Sequence, residues 1–267
     1  MVKALLLAAG FGTRLQPLTN EWPKCLMPIS GRPLLEYWLQ TLKSADIREI
    51  LINTHFHADK VNAFLARAQF AEWANTVHEA ELMGTAGTLR ANADFFRSHK
   101  TLLIHADNLC QCDFNSFVGY HLNQRPACTS VTMMTFDADA PRSCGIVETD
   151  VQGVVQAFHE KIANPPGKRA NAAVYMLEPD VLEWIELHPE VSDFSTEVLP
   201  QYIGRIATWH NADVHRDIGT LAALRAAQSD PIPEHSWVDN DEWQVEFESS
   251  PIFRAINNQI FMESSNE

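Results

Sequence analysis

The chain has 267 residues, 46% of them hydrophobic, which is enough material for one large domain or two small ones. Its formal net charge of −14 disfavours binding to nucleic acid, whose backbone is itself an anion. No apolar run approaches the roughly 20 residues of a membrane span, and no signal-peptide pattern is present. We therefore expect a cytoplasmic protein with neither a nucleic acid nor a membrane as partner.

The first predicted element is a short apolar strand, Lys3–Ala9, that leads into a glycine turn. Gly10 and Gly12 allow backbone amides to approach an anion that a side chain would push away. Arg14 and Lys24 follow and add fixed positive charge. This pattern predicts a turn that binds the phosphates of a nucleoside triphosphate.

Two better-known glycine loops do not fit this turn. The dinucleotide-binding fingerprint needs a glycine or alanine at position 15, where the chain has Leu15. A Walker loop needs Gly-Lys after four intervening residues, and nothing of that kind follows Gly10. The remaining alternative is an ordinary turn, with Arg14 a solvated surface charge.

The first half of the chain alternates strand and helix patterns, which indicates parallel strands joined by crossover helices. Further strands are predicted at 49–53, 76–79 and 101–105, and helices at 33–43, 59–70 and 86–96. From residue 130 the pattern changes to short alternating strands, at 130–136, 144–150, 154–160 and 171–177, followed by a capped helix at 193–203. The expected fold is α/β: a Rossmann-like mixed, mainly parallel sheet flanked by helices, with a small antiparallel subregion.

The C-terminal stretch differs in composition from the rest. Residues 229–267 contain nine acidic residues and one basic residue, and so account for −8 of the net charge of −14. We therefore predict a main domain over 1–228 and an acidic extension over 229–267. The apolar residues of the extension could dock on the main domain or on a partner. They are Trp237, Trp243, Phe247, Ile252, Phe253, Ile256 and Phe261.

Two aspartates stand where a nucleotide site needs carboxylates. Asp107 follows the apolar strand TLLIHA, at the strand end where open α/β sheets bind ligands, and Asp217 lies in HRDIGT. Mg²⁺ takes few protein carboxylates and completes its shell with phosphate oxygens and water. These residues predict a Mg²⁺ site, the alternative being that each aspartate only caps a turn.

These motifs together resemble the sugar-1-phosphate nucleotidyltransferases over about residues 2–228. The family pattern LAAGxGTRLxPLT, then PKxLxPxxGxPLLE, appears here as LAAGFGTRLQPLT, then PKCLMPISGRPLLE. The resemblance implies transfer of a nucleotidyl group from a nucleoside triphosphate to a sugar 1-phosphate, with Mg²⁺ as cofactor and pyrophosphate as the second product.

The resemblance assigns roles to residues of these motifs. Asp107 and Asp217 match the metal-binding aspartates, although Ala106 replaces the usual glycine before the first. Arg14, Lys24 and Asp107 are the predicted catalytic residues. The predicted nucleotide-binding residues are Leu7, Ala8, Ala9, Gly10, Gly12, Thr13, Arg14, Lys24, Gly84, Thr85 and Asp107.

The choice of base is predicted from the segment ELMGTAG at residues 81–87. It resembles the base-recognition loop of the mannose-1-phosphate guanylyltransferase branch, with Met83 in place of the usual leucine. Gly84 and Thr85 would then meet the nucleobase, and guanine is favoured. A helix cap formed by Thr85 is the alternative.

The sugar half is predicted from three further motifs. CGIV resembles YGxV, FHEK resembles FxEKP, and NAAVY resembles NxGxY. The predicted sugar-phosphate residues are Asn108, Gly145, Glu160, Lys161, Asn171 and Asp217. Cys144 stands where tyrosine is frequent and Ile162 where proline is frequent. A solvated Glu160–Lys161 charge pair is the alternative.

The resemblance favours GTP and mannose 1-phosphate as the substrates. Within the same class, a thymidylyl- or uridylyltransferase acting on glucose 1-phosphate remains open. A rival from another class is a regulatory subunit that senses sugar nucleotides without catalysis, which we expect to have lost Arg14, Lys24 or a metal-binding aspartate. The oligomeric state is open, and a homo-oligomer is compatible with the sequence.

Overall fold

A computed structural model describes residues 1–232 and 241–256 of the chain. These residues form two compact units. The first unit contains residues 1–6, 81–105 and 112–215, and the second contains residues 7–80, 106–111 and the described part of 216–256. Trp237 and Phe261, predicted above as docking residues, lie outside the described residues.

The fold is an α/β fold with a mixed, mostly parallel central sheet flanked by helices, as predicted, and it includes antiparallel strands. The strands are β1 Val2–Leu7, β2 Pro28–Ile29, β3 Arg32–Pro33, β4 Ile50–Thr54, β5 Ala74–His78, β6 Lys100–His105, β7 Asn108–Gln111, β8 Val131–Asp137, β9 Gly145–Thr149, β10 Val155–Glu160, β11 Arg169–Leu177, β12 Ile206–His210 and β13 Val214–Asp217. The helices are α1 Leu34–Ser44, α2 Ala58–Leu65, α3 Thr85–Ala91, α4 Ala93–Phe96, α5 Phe114–Asn123, α6 Pro179–Leu187, α7 Leu221–Ala227 and α8 Glu242–Ser249.

In the first unit the strands lie in the order β10-β9-β11-β6-β1, and β8 pairs with both β11 and β12. The pairs β10–β9, β11–β6 and β11–β8 are antiparallel, whereas β12 and β8 are parallel. The β11–β8 register shifts between Asn171 and Tyr175, which marks a bulge. The antiparallel subregion predicted from residue 130 is therefore present.

In the second unit, β4 and β5 form a parallel pair. All five residues of β4 are buried, in agreement with the near-continuous apolar run that such strands require. Helix α1 begins after Pro33 and is buried over most of its circumference; its buried apolar residues include Leu35, Trp38, Leu39 and Leu42. Three short 3₁₀ turns, the last at Lys24–Leu26, precede this helix.

The predicted helix over 59–70 is shorter in the structure. Helix α2 ends at Leu65, and residues up to 73 continue as hydrogen-bonded turns. Phe64 and Phe70 nevertheless lie together, with ring centroids 5.0 Å apart. The helix-like spacing of apolar residues over 59–70 therefore corresponds to the contact between Phe64 and Phe70 and not to a continuous helix.

The predicted helix over 86–96 is interrupted. Asn92 leaves the helical conformation, with φ −114° and ψ 22°, and its side-chain amide donates to the Thr88 carbonyl at 2.8 Å. An asparagine side chain that bonds the backbone in this way competes with helical hydrogen bonding. Two short helices, α3 and α4, result.

The predicted helix over 193–203 is a π-helical segment, Phe194–Val198, followed by a 3₁₀ segment, Leu199–Tyr202. The expected cap is present, because the Asp193 carboxylate accepts from the Thr196 amide at 2.8 Å. Pro200 lacks the amide hydrogen that a continuous α-helix would need at this position.

Helix α8 lies within the predicted C-terminal extension. Its N-terminus is capped by Asp241, whose side chain accepts from the Gln244 amide at 2.8 Å. Among the described residues, no helix is long and apolar enough to cross a bilayer. The predicted boundary between 228 and 229 stays a prediction.

Candidate functional site

The glycine turn follows β1 and is held from both sides by residues of the second unit. The Leu7 carbonyl accepts from the Ala106 amide at 3.1 Å, and the Ala8 amide donates to the Asn53 side chain at 2.7 Å. Asn53 in turn donates to Glu79, whose side chain is buried. Because these contacts fix the backbone at residues 7 and 8, the path of the turn is set before any ligand binds.

Gly12 meets two structural demands at once. Its φ of +61° is left-handed, and a Cβ at this position would lie 2.9 Å from Thr19 Cγ2 and 3.2 Å from Lys24 Cβ. The Thr19 hydroxyl also donates to the Gly12 carbonyl at 2.9 Å. The glycine therefore allows the turn to pack against the segment that carries Lys24.

Lys24 lies at the centre of an ion cluster formed with Arg14, Asp107 and Asp217, which we call the Lys24 cluster. The Lys24 Nζ donates to Asp107 Oδ2 at 2.6 Å and to Asp217 Oδ1 at 2.9 Å. The Lys24 side chain is only 8% exposed, whereas Asp107 and Asp217 are 39% and 51% exposed. The ammonium is thus enclosed, and both carboxylates also face solvent.

The two aspartates come from segments more than 100 residues apart and are joined by their backbones. Asp107 lies in the turn between β6 and β7, and its carbonyl accepts from the Ile218 amide at 3.2 Å. Asp217 ends β13, one residue before Ile218. The prediction that Asp107 stands at the carboxyl end of a strand is confirmed.

Arg14 reaches the cluster over Gly219. The Arg14 Nη2 lies 3.4 Å from Asp217 Oδ2, and a Cβ on Gly219 would lie 2.6 Å from that Nη2. Gly219 belongs to the motif DIGT, but the sequence reasoning assigned it no role. The close approach of Arg14 and Asp217 depends on this missing side chain.

The donor set of the Lys24 cluster fits a Mg²⁺ ion. Both carboxylates contact the Lys24 ammonium and also face solvent, and two cations balance them, so the cluster is formally neutral. Among residues 1–232 and 241–256, no group of three or more His, Cys, Asp or Glu side chains could hold a metal ion. Mg²⁺ suits such a pair, because it readily keeps water and substrate phosphate as its other ligands.

The structure brings one group of predicted residues together in the second unit: Leu7, Ala8, Ala9, Gly10, Gly12, Thr13, Arg14, Lys24, Asp107, Asn108 and Asp217. Asn108 is buried at the start of β7, and its carbonyl accepts from the Trp38 indole nitrogen at 2.8 Å. The others belong to the first unit: Gly84, Thr85, Gly145, Glu160, Lys161 and Asn171.

The segment ELMGTAG is tied to residues 192–197 of the same unit. The Ser192 carbonyl accepts from the amides of Ala86 and Gly87, at 2.9 and 3.3 Å. Gly84 has φ +77° and ψ 167°, and a Cβ there would lie 2.5 Å from the Ser192 carbonyl oxygen. Only glycine adopts this conformation without strain, so its place at this turn has a steric reason.

Thr85 does not cap its own helix. Its Oγ1 accepts from the Phe194 amide at 2.6 Å and lies 3.5 Å from Asp193 Oδ2. Glu197 completes the loop by accepting from the amides of Ser192 and Asp193, at 2.8 and 2.7 Å, and these bonds lower the pKa of its carboxyl. The role of Gly84 and Thr85 in base recognition stays a prediction.

Around Gly145 the space is already filled. A Cβ on Gly145 would lie 2.6 Å from Glu160 Oε2 and 2.6 Å from Phe158 Cζ. Glu160 also pairs with Lys161, Oε1 to Nζ 3.0 Å, and the Lys161 side chain is mainly exposed. The charge pair named as the alternative therefore exists, and the predicted sugar contacts of these residues are neither supported nor contradicted by it.

Asn171 is engaged within the bulge of β11. Its Nδ2 donates to the Tyr175 hydroxyl at 2.6 Å, and its Oδ1 accepts from the Ala173 amide at 2.9 Å. Ala173 has φ +55° and stands where the motif NxGxY has glycine. Burial raises the pKa of Tyr175 to about 12, so this hydroxyl remains protonated at neutral pH.

Sequence reasoning missed several residues that shape these sites, namely Asn53, Glu79, Ser192, Asp193, Glu197 and Gly219. A signal for Asn53 was present, since a polar residue near the end of the apolar strand ILINT is unusual. The helix cap at Asp193 was predicted from the local sequence, but its link to ELMGTAG was not, because that contact joins positions more than 100 residues apart.

A family model described as nucleotidyl transferase matches residues 3–232. The chain is also 30% identical over 224 residues to the mannose-1-phosphate guanylyltransferase of Mycobacterium tuberculosis, covering 82% of this chain and 61% of that protein. It is 30% identical over 204 residues to the mannose-1-phosphate guanylyltransferase catalytic subunit beta of Drosophila melanogaster, covering 74% of this chain and 54% of that protein. The chain thus spans little more than half the length of these relatives.

A solved structure supports the fold. A Bacillus anthracis protein, provisionally named glucose-1-phosphate thymidylyltransferase and crystallised with sucrose, superposes with a TM-score of 0.77. The superposition covers 88% of this chain and 98% of that one, at 23% sequence identity. At this identity the likeness establishes the architecture alone.

Proposed function

Because the chain belongs to the nucleotidyl transferase family, we propose that it transfers a nucleotidyl group from a nucleoside triphosphate to a sugar 1-phosphate. The observation that carries this proposal is the contact of Lys24 with both Asp107 and Asp217. Three segments remote in sequence supply an enclosed ammonium and two solvent-facing carboxylates. Such an arrangement suits a ligand that brings both a metal ion and a chain of phosphates.

In the proposed reaction, a phosphate oxygen of the sugar 1-phosphate attacks the α-phosphorus of the triphosphate. The bond from the α-phosphorus to the bridging oxygen breaks, and pyrophosphate leaves with that oxygen. The attacking oxygen is ionised at neutral pH, so the reaction needs no general base. The protein's task is to place the two phosphates in line and to stabilise the charge that develops.

The Lys24 cluster supplies these functions in the proposal. Lys24 and Arg14 stabilise negative charge on the reacting phosphates, and the amides of the glycine turn bind the rest of the triphosphate. Asp107 and Asp217 would hold Mg²⁺, which neutralises phosphate charge when bound. Lys161 would align the sugar phosphate.

The proposed substrates are GTP and mannose 1-phosphate. In support, the relatives from M. tuberculosis and D. melanogaster carry the name mannose-1-phosphate guanylyltransferase. The segment ELMGTAG, which suggested guanine, is held in shape by its bonds to Ser192 and Phe194. The chain retains Arg14, Lys24, Asp107 and Asp217, so a non-catalytic sensor is the less favoured reading.

The test is a matrix of five nucleoside triphosphates against several sugar 1-phosphates, with pyrophosphate release as the readout. We expect the highest kcat/KM for GTP with mannose 1-phosphate. A maximum for dTTP or UTP with glucose 1-phosphate would replace the proposed substrates but keep the reaction. Binding of nucleotide sugars without turnover of any pair would support a sensor and refute the enzyme.

A further inference from the structure

The segment that carries Lys24 is held by residues from the C-terminal end of the described chain. Trp22 precedes Lys24 by two residues, and its side chain is buried. The Trp22 ring lies 5.3 Å from the ring of Phe247 and 6.3 Å from that of Trp243, both on α8. The ammonium of Lys60 covers the Trp22 ring at 4.5 Å.

The hairpin that follows Lys24 is held in a similar way. The Gln244 side chain of α8 donates to the Gly31 carbonyl at 3.3 Å. Gln228, just after α7, accepts from the Ser30 amide at 2.9 Å and donates to the Pro28 carbonyl at 3.0 Å. Both ends of residues 22–33 thus contact residues from the C-terminal quarter of the chain.

Helix α8 also contacts α2 and the turn that follows α2. The Arg67 Nε donates to Asp241 Oδ2 at 2.6 Å, and the Arg67 guanidinium lies 5.0 Å from the Trp243 ring centroid. Arg67 also contacts the buried carboxylate of Glu36 at 3.3 Å. Trp243 packs edge-on against Phe64, with centroids 4.9 Å apart. The helix therefore connects α2 to the Lys24 segment.

Lys24 is sensitive to the position of this segment. Its backbone forms a 3₁₀ turn in which the Leu26 amide donates to Pro23 and the Met27 amide donates to Lys24. The Nζ must reach two carboxylates at 2.6 and 2.9 Å from an enclosed position. A displacement of about 1 Å at a reacting group costs roughly 10²-fold in rate.

We propose that helix α8 acts as a clamp on residues 22–33, and that Trp243 and Gln244 are positioning residues for Lys24. In this proposal the acidic C-terminal extension is part of the machinery that orders the ammonium for phosphate chemistry. The inference rests on the proposed function of Lys24, but the clamp itself has a readout that needs no substrate.

The test compares four full-length proteins: wild type, Trp243→Ala, Trp243→Phe, and Val245→Ala as the matched control. Val245 lies on the same helix with its side chain mainly exposed. Backbone hydrogen exchange is measured at Leu26 and Met27, at a temperature where thermal melts show every protein to be folded. The kcat and KM for pyrophosphate release are measured on the same samples.

We expect Trp243→Ala to accelerate exchange at Leu26 and Met27 relative to Val245→Ala, while exchange in β6 stays unchanged. Its kcat should fall by about 10- to 100-fold with a smaller change in KM, and Trp243→Phe should restore most of it. Exchange equal to that of Val245→Ala, or an equal rise throughout the second unit, would overturn the clamp. If the wild type turns over no substrate pair, the proposed function fails, and the exchange data still decide the clamp.

Discussion

Two ion clusters in this protein are built with opposite charges at their centres. In the Lys24 cluster one ammonium contacts the carboxylates of Asp107 and Asp217. In the first unit, one carboxylate, that of Glu178, contacts three basic side chains: Arg125 at 2.7 Å, His121 at 3.2 Å, and Lys100. We call the second group the Glu178 cluster.

The clusters differ in the exposure of their outer groups. Asp107 and Asp217 are 39% and 51% exposed, so both carboxylates face solvent as well as Lys24. In the Glu178 cluster the exposed fractions of the side chains are lower: 32% for Lys100, 19% for Arg125 and 0% for His121. A cluster whose outer groups face solvent can exchange partners with a ligand, whereas an enclosed one stabilises the fold. We therefore propose that the Lys24 cluster serves the reaction and that the Glu178 cluster stabilises the fold.

The largest expected effect is on catalysis by Asp107→Asn. The amide still accepts from Lys24 but no longer offers a negative oxygen to Mg²⁺, so metal-dependent pyrophosphate release should fall by about 10³-fold. The thermal melt should stay close to that of wild type. The control is Asp113→Asn. Asp113 caps helix α5, and asparagine caps a helix equally well. Full activity of Asp107→Asn would refute the metal assignment.

The corresponding variant in the Glu178 cluster is Glu178→Gln. It removes the anion that Lys100, Arg125 and His121 share. Removing one partner of a largely buried ion pair costs about 3 kcal/mol of unfolding free energy, measured by denaturant titration. The kcat of the folded fraction should not change. The control is the exposed Glu190→Gln, and a Glu178→Gln protein as stable as this control would contradict the structural role.

A pH titration examines the same cluster without removing its anion. Burial, helped by the nearby Arg125, lowers the pKa of His121 to about 4, whereas its ordinary value is 6.5. Between these two pH values the unfolded chain binds more protons at His121 than the folded protein does. The unfolding free energy therefore falls as the pH drops from about 6.5 to about 4.

The unfolding free energy should therefore decrease steadily over this pH range. The pKa of Glu178 is itself lowered, because Lys100 and Arg125 outweigh the burial that would raise it, so acidification below its range destabilises the protein further. Chemical denaturation from pH 7 to pH 4 measures the effect of His121, and extending the series to lower pH measures that of Glu178. In the variant His121→Gln, the unfolding free energy should depend less on pH between about 6.5 and about 4. An unchanged pH dependence would contradict the assignment of this effect to His121.

The smallest expected change in stability is that of Lys161→Gln. The Lys161 side chain pairs with Glu160 and is mainly exposed, so the unfolding free energy should change by less than about 0.5 kcal/mol. If Lys161 binds the sugar phosphate as proposed, the KM for the sugar 1-phosphate should rise several-fold. Lys168→Gln in the neighbouring loop is the control, and equal KM values for the two variants would leave Lys161 as a surface charge only.

Sequence reasoning succeeded where a local pattern carries the information. Strands such as β4 and β6 were predicted to within a residue or two, because short apolar runs report burial directly. The Lys24 cluster was anticipated as a set of motif residues, but its contacts were not. Only the folded chain brings Asp107 and Asp217 into contact with Lys24.

Sequence reasoning failed where side chains bond the backbone a few residues away, and where contacts join segments remote along the chain. The interruption at Asn92 and the π-helical segment at Phe194–Val198 depend on side chains that bond the backbone. The contact of Trp22 with α8 joins residues more than 200 positions apart. Composition identified Trp243 and Phe247 as apolar residues in an acidic stretch, but not the segment against which they pack.

The bonds between ELMGTAG and residues 192–197 have a consequence for engineering. The Ser192 carbonyl occupies the amides of Ala86 and Gly87, and the Thr85 hydroxyl holds the Phe194 amide. A loop transplanted from a relative with another base preference would arrive without its counterpart and leave these groups unsatisfied. If ELMGTAG recognises the base as proposed, redesign of nucleotide selectivity requires that both segments be exchanged together.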